Sequence, residues 1–355
     1  MAADLLPPGR DTRGRSWRLA LALLLALLTG LAPVGGEERA SRAPATLPAA
    51  GRLLLPRGVS LDVLDLASGA ERSLYDAASR SRGSSEQDVV KAVVGATWAP
   101  DGRRAAFVEF RTGPGVPRDE TALYVLDGGG TTPVAARPAR TEALSNPVWA
   151  ADGRALLYQV SGPEPGSSVL EQSAPDGTGR GTVERGAAEP ALSADGALLA
   201  FVRATGDGEA LIVRPLAGGA ERAVLPLGAF TAIKSPRFSP DGRRLAFVAS
   251  GEPAGGQPWR PARRVAWLEL GPATASAHGG AGHPWVVDMD GGGLRPLIEL
   301  QQMAAEHDGV DLAWAPDGSA VAMLGVKGLW LVPAGREGGP VLVGRGGYGH
   351  LDWRP

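Results

Sequence analysis

The chain has 355 residues, 44% of them hydrophobic, with 51 Gly and 30 Pro, and its formal net charge is −2. Glycine and proline recur every few residues and leave no room for long amphipathic helices, so many short strands joined by turns are expected. The near-neutral charge argues against nucleic acid as a partner, and zero cysteine excludes disulfides, thiolate metal sites and a cysteine nucleophile.

Four arginines, Arg10, Arg13, Arg15 and Arg18, precede the apolar run LALALLLALLTGLA at residues 19–32, and PVGG follows before Glu37. A basic stretch, a short apolar stretch and small residues form a secretory signal, with cleavage expected after Gly36. A bilayer-spanning helix needs roughly 20 apolar residues, so an uncleaved N-terminal membrane tether is the alternative. Residues 37–50, EERASRAPATLPAA, read as a flexible linker.

From residue 51 the chain repeats itself. Five phrases align on Asp-Gly: GATWAPDGRRAAFVE at 95–109, NPVWAADGRALLYQV at 146–160, EPALSADGALLAFVR at 189–203, SPRFSPDGRRLAFVA at 235–249 and DLAWAPDGSAVAMLG at 311–325. Each reads as a hairpin, with Asp in the turn and Gly supplying the left-handed position. Three residues before each Asp stands a large apolar side chain: Trp98, Trp149, Leu192, Phe238 or Trp314.

A second hairpin follows in each unit, as in ALYVLDGGGTTPVAA from Ala122. Four antiparallel strands in about 40–50 residues make one propeller blade. The phrase HLDWRP, His350 to Pro355, opens a sixth unit with Trp353 at the apolar position. Its remaining strands are expected at residues 51–75, so the sixth blade is stitched from both termini. The predicted fold is all-β: a six-bladed propeller over residues 51–355.

The WAPDGRRAAFV type of phrase resembles the TolB-like β-propeller repeat. That resemblance implies a periplasmic or secreted six-bladed scaffold; the same repeat is also found beside peptidase domains. No Gly-x-Ser-x-Gly nucleophile elbow occurs here, so peptidase activity is not expected.

The Asp-to-Asp spacings are 51, 43, 46 and 76 residues, and the last places an insertion at about 251–282. Trp259, Arg260, Arg263, Arg264 and Trp267 in it combine residue types enriched in interface hot spots, and His278 and His283 lie in the same predicted loop. The insertion is a candidate arm for a protein or peptide; an extra strand packed on the blade is the plainer reading.

One residue per blade, three before the large apolar position, is expected at the start of each innermost strand, around the channel mouth. These are Gly95, Asn146, Glu189, Ser235, Asp311 and His350. Glu189, Asp311 and His350 are candidates to grip a cation or a basic group, against the reading of a hydrated polar rim. DMDGGG at 288–293 and PDGTG at 175–179 look like calcium loops but lack the terminal Glu, so turn chemistry explains them.

The expected function is a monomeric, extracytoplasmic scaffold for a protein or peptide of the cell envelope, without cofactor, metal or enzymatic activity. The rivals are a hydrolase or lyase of envelope polymers using His350 with Glu189 or Asp311, and a membrane-tethered structural or sensory ectodomain.

Overall fold

The structure is a computed structural model and describes residues 50–77, 89–113, 119–128, 130–164, 166–205, 208–251, 282–298, 309–325, 327–335, 338–347 and 349–355. The predicted signal segment and nearly all of the linker lie outside the described residues. No helix among the described residues is long and apolar enough to cross a membrane.

Three strands come first: β1 (Arg52–Pro56), β2 (Ser60–Asp65) and β3 (Glu71–Asp76). Blade 1 is β4 (Val90–Trp98), β5 (Ala105–Thr112), β6 (Glu120–Asp127) and β7 (Gly130–Pro138). Blade 2 is β8 (Ala143–Trp149), β9 (Leu156–Ser161), β10 (Val169–Ser173) and β11 (Gly181–Arg185). Blade 3 is β12 (Ala188–Leu192), β13 (Leu198–Thr205), β14 (Gly208–Pro215) and β15 (Arg222–Phe230). Blade 4 is β16 (Ala232–Phe238), β17 (Arg244–Ser250), β18 (His283–Asp288) and β19 (Arg295–Pro296). Blade 5 is β20 (Gly309–Trp314), β21 (Ala320–Gly325), β22 (Leu329–Pro333) and β23 (Val341–Gly344).

The last strand, β24 (Asp352–Arg354), joins β1, β2 and β3 in a sixth four-stranded sheet. It pairs antiparallel with β1, placing Trp353 opposite Leu53 and Asp352 opposite Leu54. The expected closure by the two chain ends is therefore present. The first strands touch in cyclic order, β4, β8, β12, β16, β20, β24 and back to β4, so they form the inner wall of a ring.

Why these sequences form such blades follows from two-sided burial. Successive strand residues point to opposite faces, and a blade in a ring is covered on both. In β1, Leu53 and Leu55 pack toward blade 5 while Leu54 packs toward blade 1. In β21, Ala320, Ala322 and Leu324 face blade 6, and Val321 and Met323 face blade 4. That is why runs such as RLLLP and AVAML are apolar throughout rather than alternating. The core is accordingly divided into six apolar layers, one at each seam between blades.

The hairpin turns carry the chemistry expected of them. Gly102, Gly153, Gly196, Gly242 and Gly318 all have φ between 64° and 72°. The Asp of each turn accepts a backbone amide through Oδ1, as in Arg103 N to Asp101 at 2.8 Å and Ser319 N to Asp317 at 3.0 Å. Asp176 and Asp290 do the same for Thr178 and Gly292, so both calcium-like phrases include a turn of this kind.

Arginines near the start of the second strand of a blade lock neighbouring blades. Arg104 lies over the Trp149 ring at 4.8 Å, Arg244 over Trp314 at 5.0 Å and Arg52 over Trp98 at 5.7 Å. Each is a cation–π contact from one blade to the large apolar residue of the next.

Candidate functional site

The inner strands share an irregularity that builds the site. Pairing with the second strand slips between Val93 and Gly95, Ser145 and Val148, Ala188 and Ala191, Lys234 and Arg237, and Gly309 and Asp311. In blades 2, 3 and 4 the cause is local: Pro147, Pro190 and Pro236 have no amide to give to the ladder. The preceding residues Asn146, Glu189 and Ser235 adopt φ of 51°, 55° and 50°. Such left-handed backbone is costly for Glu and Ser and persists only where its surroundings impose it.

Gly95, Asn146, Ser235 and Asp311 thus sit at or beside these bulges, part-way along their inner strands, whereas Glu189 is the second residue of β12, near the start as expected, and His350 precedes β24. Ser235, for example, is the fourth residue of seven in β16. Nor do they make a uniformly wet rim: Asn146, Ser235 and Asp311 are buried, and Glu189 and His350 are half-buried. The bulge turns main-chain amides toward the adjoining blade, where side-chain oxygens take them up in place of water.

A belt of hydrogen bonds follows from blade to blade. Gln159 Oε1 accepts Asn146 Nδ2 at 3.2 Å and the Glu189 amide at 2.8 Å. Glu189 Oε2 accepts the Ser235 amide at 2.9 Å. Asp311 Oδ2 accepts the Leu351 amide at 2.6 Å, and the His350 carbonyl accepts the Ala96 amide at 3.0 Å. Gly95 forms a bridge with His350, and a Cβ there would approach the imidazole Cδ2 to 3.4 Å.

Charge concentrates where blades 4, 5 and 6 meet. Arg237 Nη2 donates to Asp311 Oδ1 at 3.1 Å and Oδ2 at 3.2 Å, and lies 3.0 Å from His350 Nδ1. His350 Nδ1 is also 3.1 Å from Asp311 Oδ1. Burial by itself raises the pKa of the Asp311 carboxyl, yet Arg237, His350 and Ser235 together hold it below the ordinary carboxylate value. One blade away, burial pushes the Glu209 carboxyl up, and the charge of Glu189 adds to that, against the Ile233 amide that it accepts at 2.6 Å.

Nδ1 of His350 faces both partners. Arginine only donates and a carboxylate only accepts, so in the neutral ring Nδ1 either accepts from Arg237, with the proton on Nε2, or donates to Asp311, with Nε2 left as an acceptor. In the charged ring Nδ1–H turns to Asp311 and Nε2 still carries a proton. Nε2 has no hydrogen-bond partner among the described residues and is not buried. Nε2 is therefore the ring nitrogen left for a ligand, as donor or acceptor according to the tautomer.

Of the residues singled out from sequence, the structure brings Asp311 and His350 together and places Ser235 beside them. Glu189 is spent on the Ser235 amide, and Asn146 stands two blades from the charged cluster. Trp259, Arg260, Arg263, Arg264, Trp267 and His278 lie outside the described residues, as does His307. His283 is not in a loop: it opens β18, paired with Ala249, because the strand register of blade 4 extends to it. Arg237 was not among the expected residues. Its signal was present, because the other blades place Thr97, Val148, Ala191, Ala313 and Asp352 at that repeat position and only blade 4 places a cation.

No protein-family profile matches the chain, and no curated protein matches it in sequence. Among solved structures it is similar to TolB from Acinetobacter baumannii, with a TM-score of 0.57 at 15% identity over 99% of this chain and 75% of that one. A chain of a nidogen/laminin complex gives 0.56 at 11% identity over 86% of this chain and 98% of that one. A putative TolB from Agrobacterium tumefaciens gives 0.49 at 12% identity over 87% and 100%. At these identities the likeness is one of fold, and in fold the chain is a TolB-like six-bladed β-propeller.

Proposed function

We propose that the chain is an extracytoplasmic propeller scaffold that binds a protein or peptide partner in the cell envelope. The observation that carries this reading is the cluster of Arg237, Asp311 and His350 on the inner wall, with His350 Nε2 unpaired. An unpaired imidazole nitrogen beside a buried ion pair suits a polar group of an incoming chain, donating to a carbonyl or accepting from an N–H according to the tautomer. Blade 4, which supplies Arg237, also carries the insertion, between Ser250 and His283. The basic, apolar and small-residue order before Glu37 supports export, with cleavage after Gly36.

The test is capture from envelope extracts by the mature chain. Deleting residues 251–282, or substituting His350→Ala, is expected to abolish capture while leaving thermal unfolding cooperative; undiminished capture by both variants refutes the reading. A mature N-terminus at Glu37 would remove the tethered alternative.

One observation favours a second reading, acid–base chemistry on an envelope polymer: the 3.1 Å approach of His350 to Asp311. Nε2 is the ring nitrogen left to exchange a proton with such a substrate. Turnover of a polysaccharide or peptidoglycan substrate by the wild type and not by the His350→Ala variant would establish this reading over the first.

A further inference from the structure

Strand β24 is held as a ligand is held. Its neighbours are remote in sequence: β1 on its paired edge, blade 5 behind it and blade 1 ahead of it. The main chain of its approach is gripped at the Leu351 amide by Asp311 and at the His350 carbonyl by the Ala96 amide. Three successive side chains are read separately. Leu351 and Trp353 are buried in the seam with blade 5, beside Leu53, Leu55 and Leu324. Asp352 Oδ2 accepts the Trp98 amide at 2.8 Å and the Thr97 hydroxyl at 3.2 Å across the other seam.

The slot is also shaped for indole. Trp353 Nε1 donates to the Ala50 carbonyl at 3.3 Å, and a Cβ at Gly51, whose φ is 104°, would lie 2.5 Å from that nitrogen. Only a residue without a side chain admits the ring there. The strand is tethered by Gly344-Arg345-Gly346-Gly347-Tyr348-Gly349, in which four of six residues are glycine. Arg57, from the turn between β1 and β2, clasps this tether through its Nη1, which donates to the carbonyls of Gly346 at 2.6 Å and of Arg345. The Arg57 guanidinium is itself buried and steadied by Glu71 at 3.4 Å.

We infer that the slot between β1 and the inner strands of blades 5 and 1 is a peptide-recognition site for an extended apolar–Asp–Trp segment, and that such a segment from another polypeptide displaces β24. This is strand addition to a sheet edge: main-chain pairing supplies affinity and the Leu, Asp and Trp positions supply specificity. The inference stands apart from the envelope-partner reading, because it concerns blade 6 and needs no arm on blade 4. In the intact chain β24 competes from a tether at an effective concentration of about millimolar, so the slot opens to competitors only when the tethered strand is weakened or pulled away.

The test uses the full chain and a fluorescent synthetic peptide with the sequence of residues 349–355, GHLDWRP. The Trp353→Ala variant is expected to bind this peptide at least tenfold more tightly than the wild type does, with the peptide raising the Tm of the variant and not of the wild type. The same peptide carrying Ala in place of its Asp is expected to bind the variant at least tenfold more weakly. Equal binding by variant and wild type, or no binding by either, overturns the inference. Should the variant not fold alone, recovery of its near-UV signal on refolding with the peptide supports the inference and failure to recover overturns it. Hydrogen exchange on the unaltered chain provides a check free of substitution. Amides of Leu351 to Arg354 are expected to exchange at least tenfold faster than those of β21 and β22, and exchange only together with those strands would defeat displacement.

Discussion

The two sides of the inner wall use one repeat position differently. Blades 1 and 2 place Gly95 and Asn146 there, where a close backbone approach and one amide bond to Gln159 complete the wall. Blades 4, 5 and 6 place Ser235, Asp311 and His350 at the same position and add Arg237, so a fully buried carboxylate stands against an arginine and an imidazole. The bulge is common to both sides. It follows that the irregular backbone is a property of the repeat, while the charge is particular to one sector and is the better pointer to function.

The largest expected effect separates the two sectors directly. Asp311→Ala leaves Arg237 partly buried without its counter-ion and the Leu351 amide without an acceptor, and is expected to cost about 3–5 kcal/mol. Asn146→Ala, at the equivalent position, loses one amide bond and is expected to cost about 1 kcal/mol. Urea unfolding of both variants measures the difference, and equal costs would mean that the charged sector is no more than structural filler.

Backbone strain gives the next effect. Ser235 is left-handed at φ 50°, and a β-branched residue tolerates that conformation least, so Ser235→Val is expected to cost about 1–3 kcal/mol in the same assay. A cost near zero would show that the bulge relaxes freely.

Acid sharpens the comparison further. The folded Asp311 carboxyl is held below the ordinary carboxylate value of about 3.9, so its stabilisation is complete above that pH and is lost as pH falls through the folded value. Stability of the wild type between pH 5 and pH 2, a window of about three units around that value, is expected to fall more steeply than that of Asp311→Asn. Parallel curves would assign the acid sensitivity to other carboxylates.

The smallest effect lies away from the wall. Arg104→Ala removes the guanidinium 4.8 Å over Trp149 and is expected to cost about 0.5–1 kcal/mol, because the site is partly exposed. A Tm unchanged within error would reduce the repeated arginines to solubility.

Much of the architecture was legible because it is encoded locally. Asp-Gly at fixed distance after a large apolar residue specifies a hairpin whatever surrounds it, and Trp353 without a following Asp-Gly announced that blade 6 draws on both ends of the chain. The site was legible only in part. Alignment by repeat put Asp311 and His350, which adjoin in the structure, in one set, but it treated six positions as equivalent and passed over Arg237, two residues beyond Ser235, whose side chain reaches across a seam. Likewise, the prolines after Asn146, Glu189 and Ser235 were visible while the bulges they produce were not remarked.

By itself the sequence determined the hairpins, their number and the order of the blades, since turn chemistry and two-sided apolar strands act over a few residues. Tertiary structure alone decided which charged groups meet, that Asp311 is buried and that Nδ1 of His350 is the engaged ring nitrogen, because these depend on the curvature of the ring, which brings residues 237, 311 and 350 within hydrogen-bonding distance.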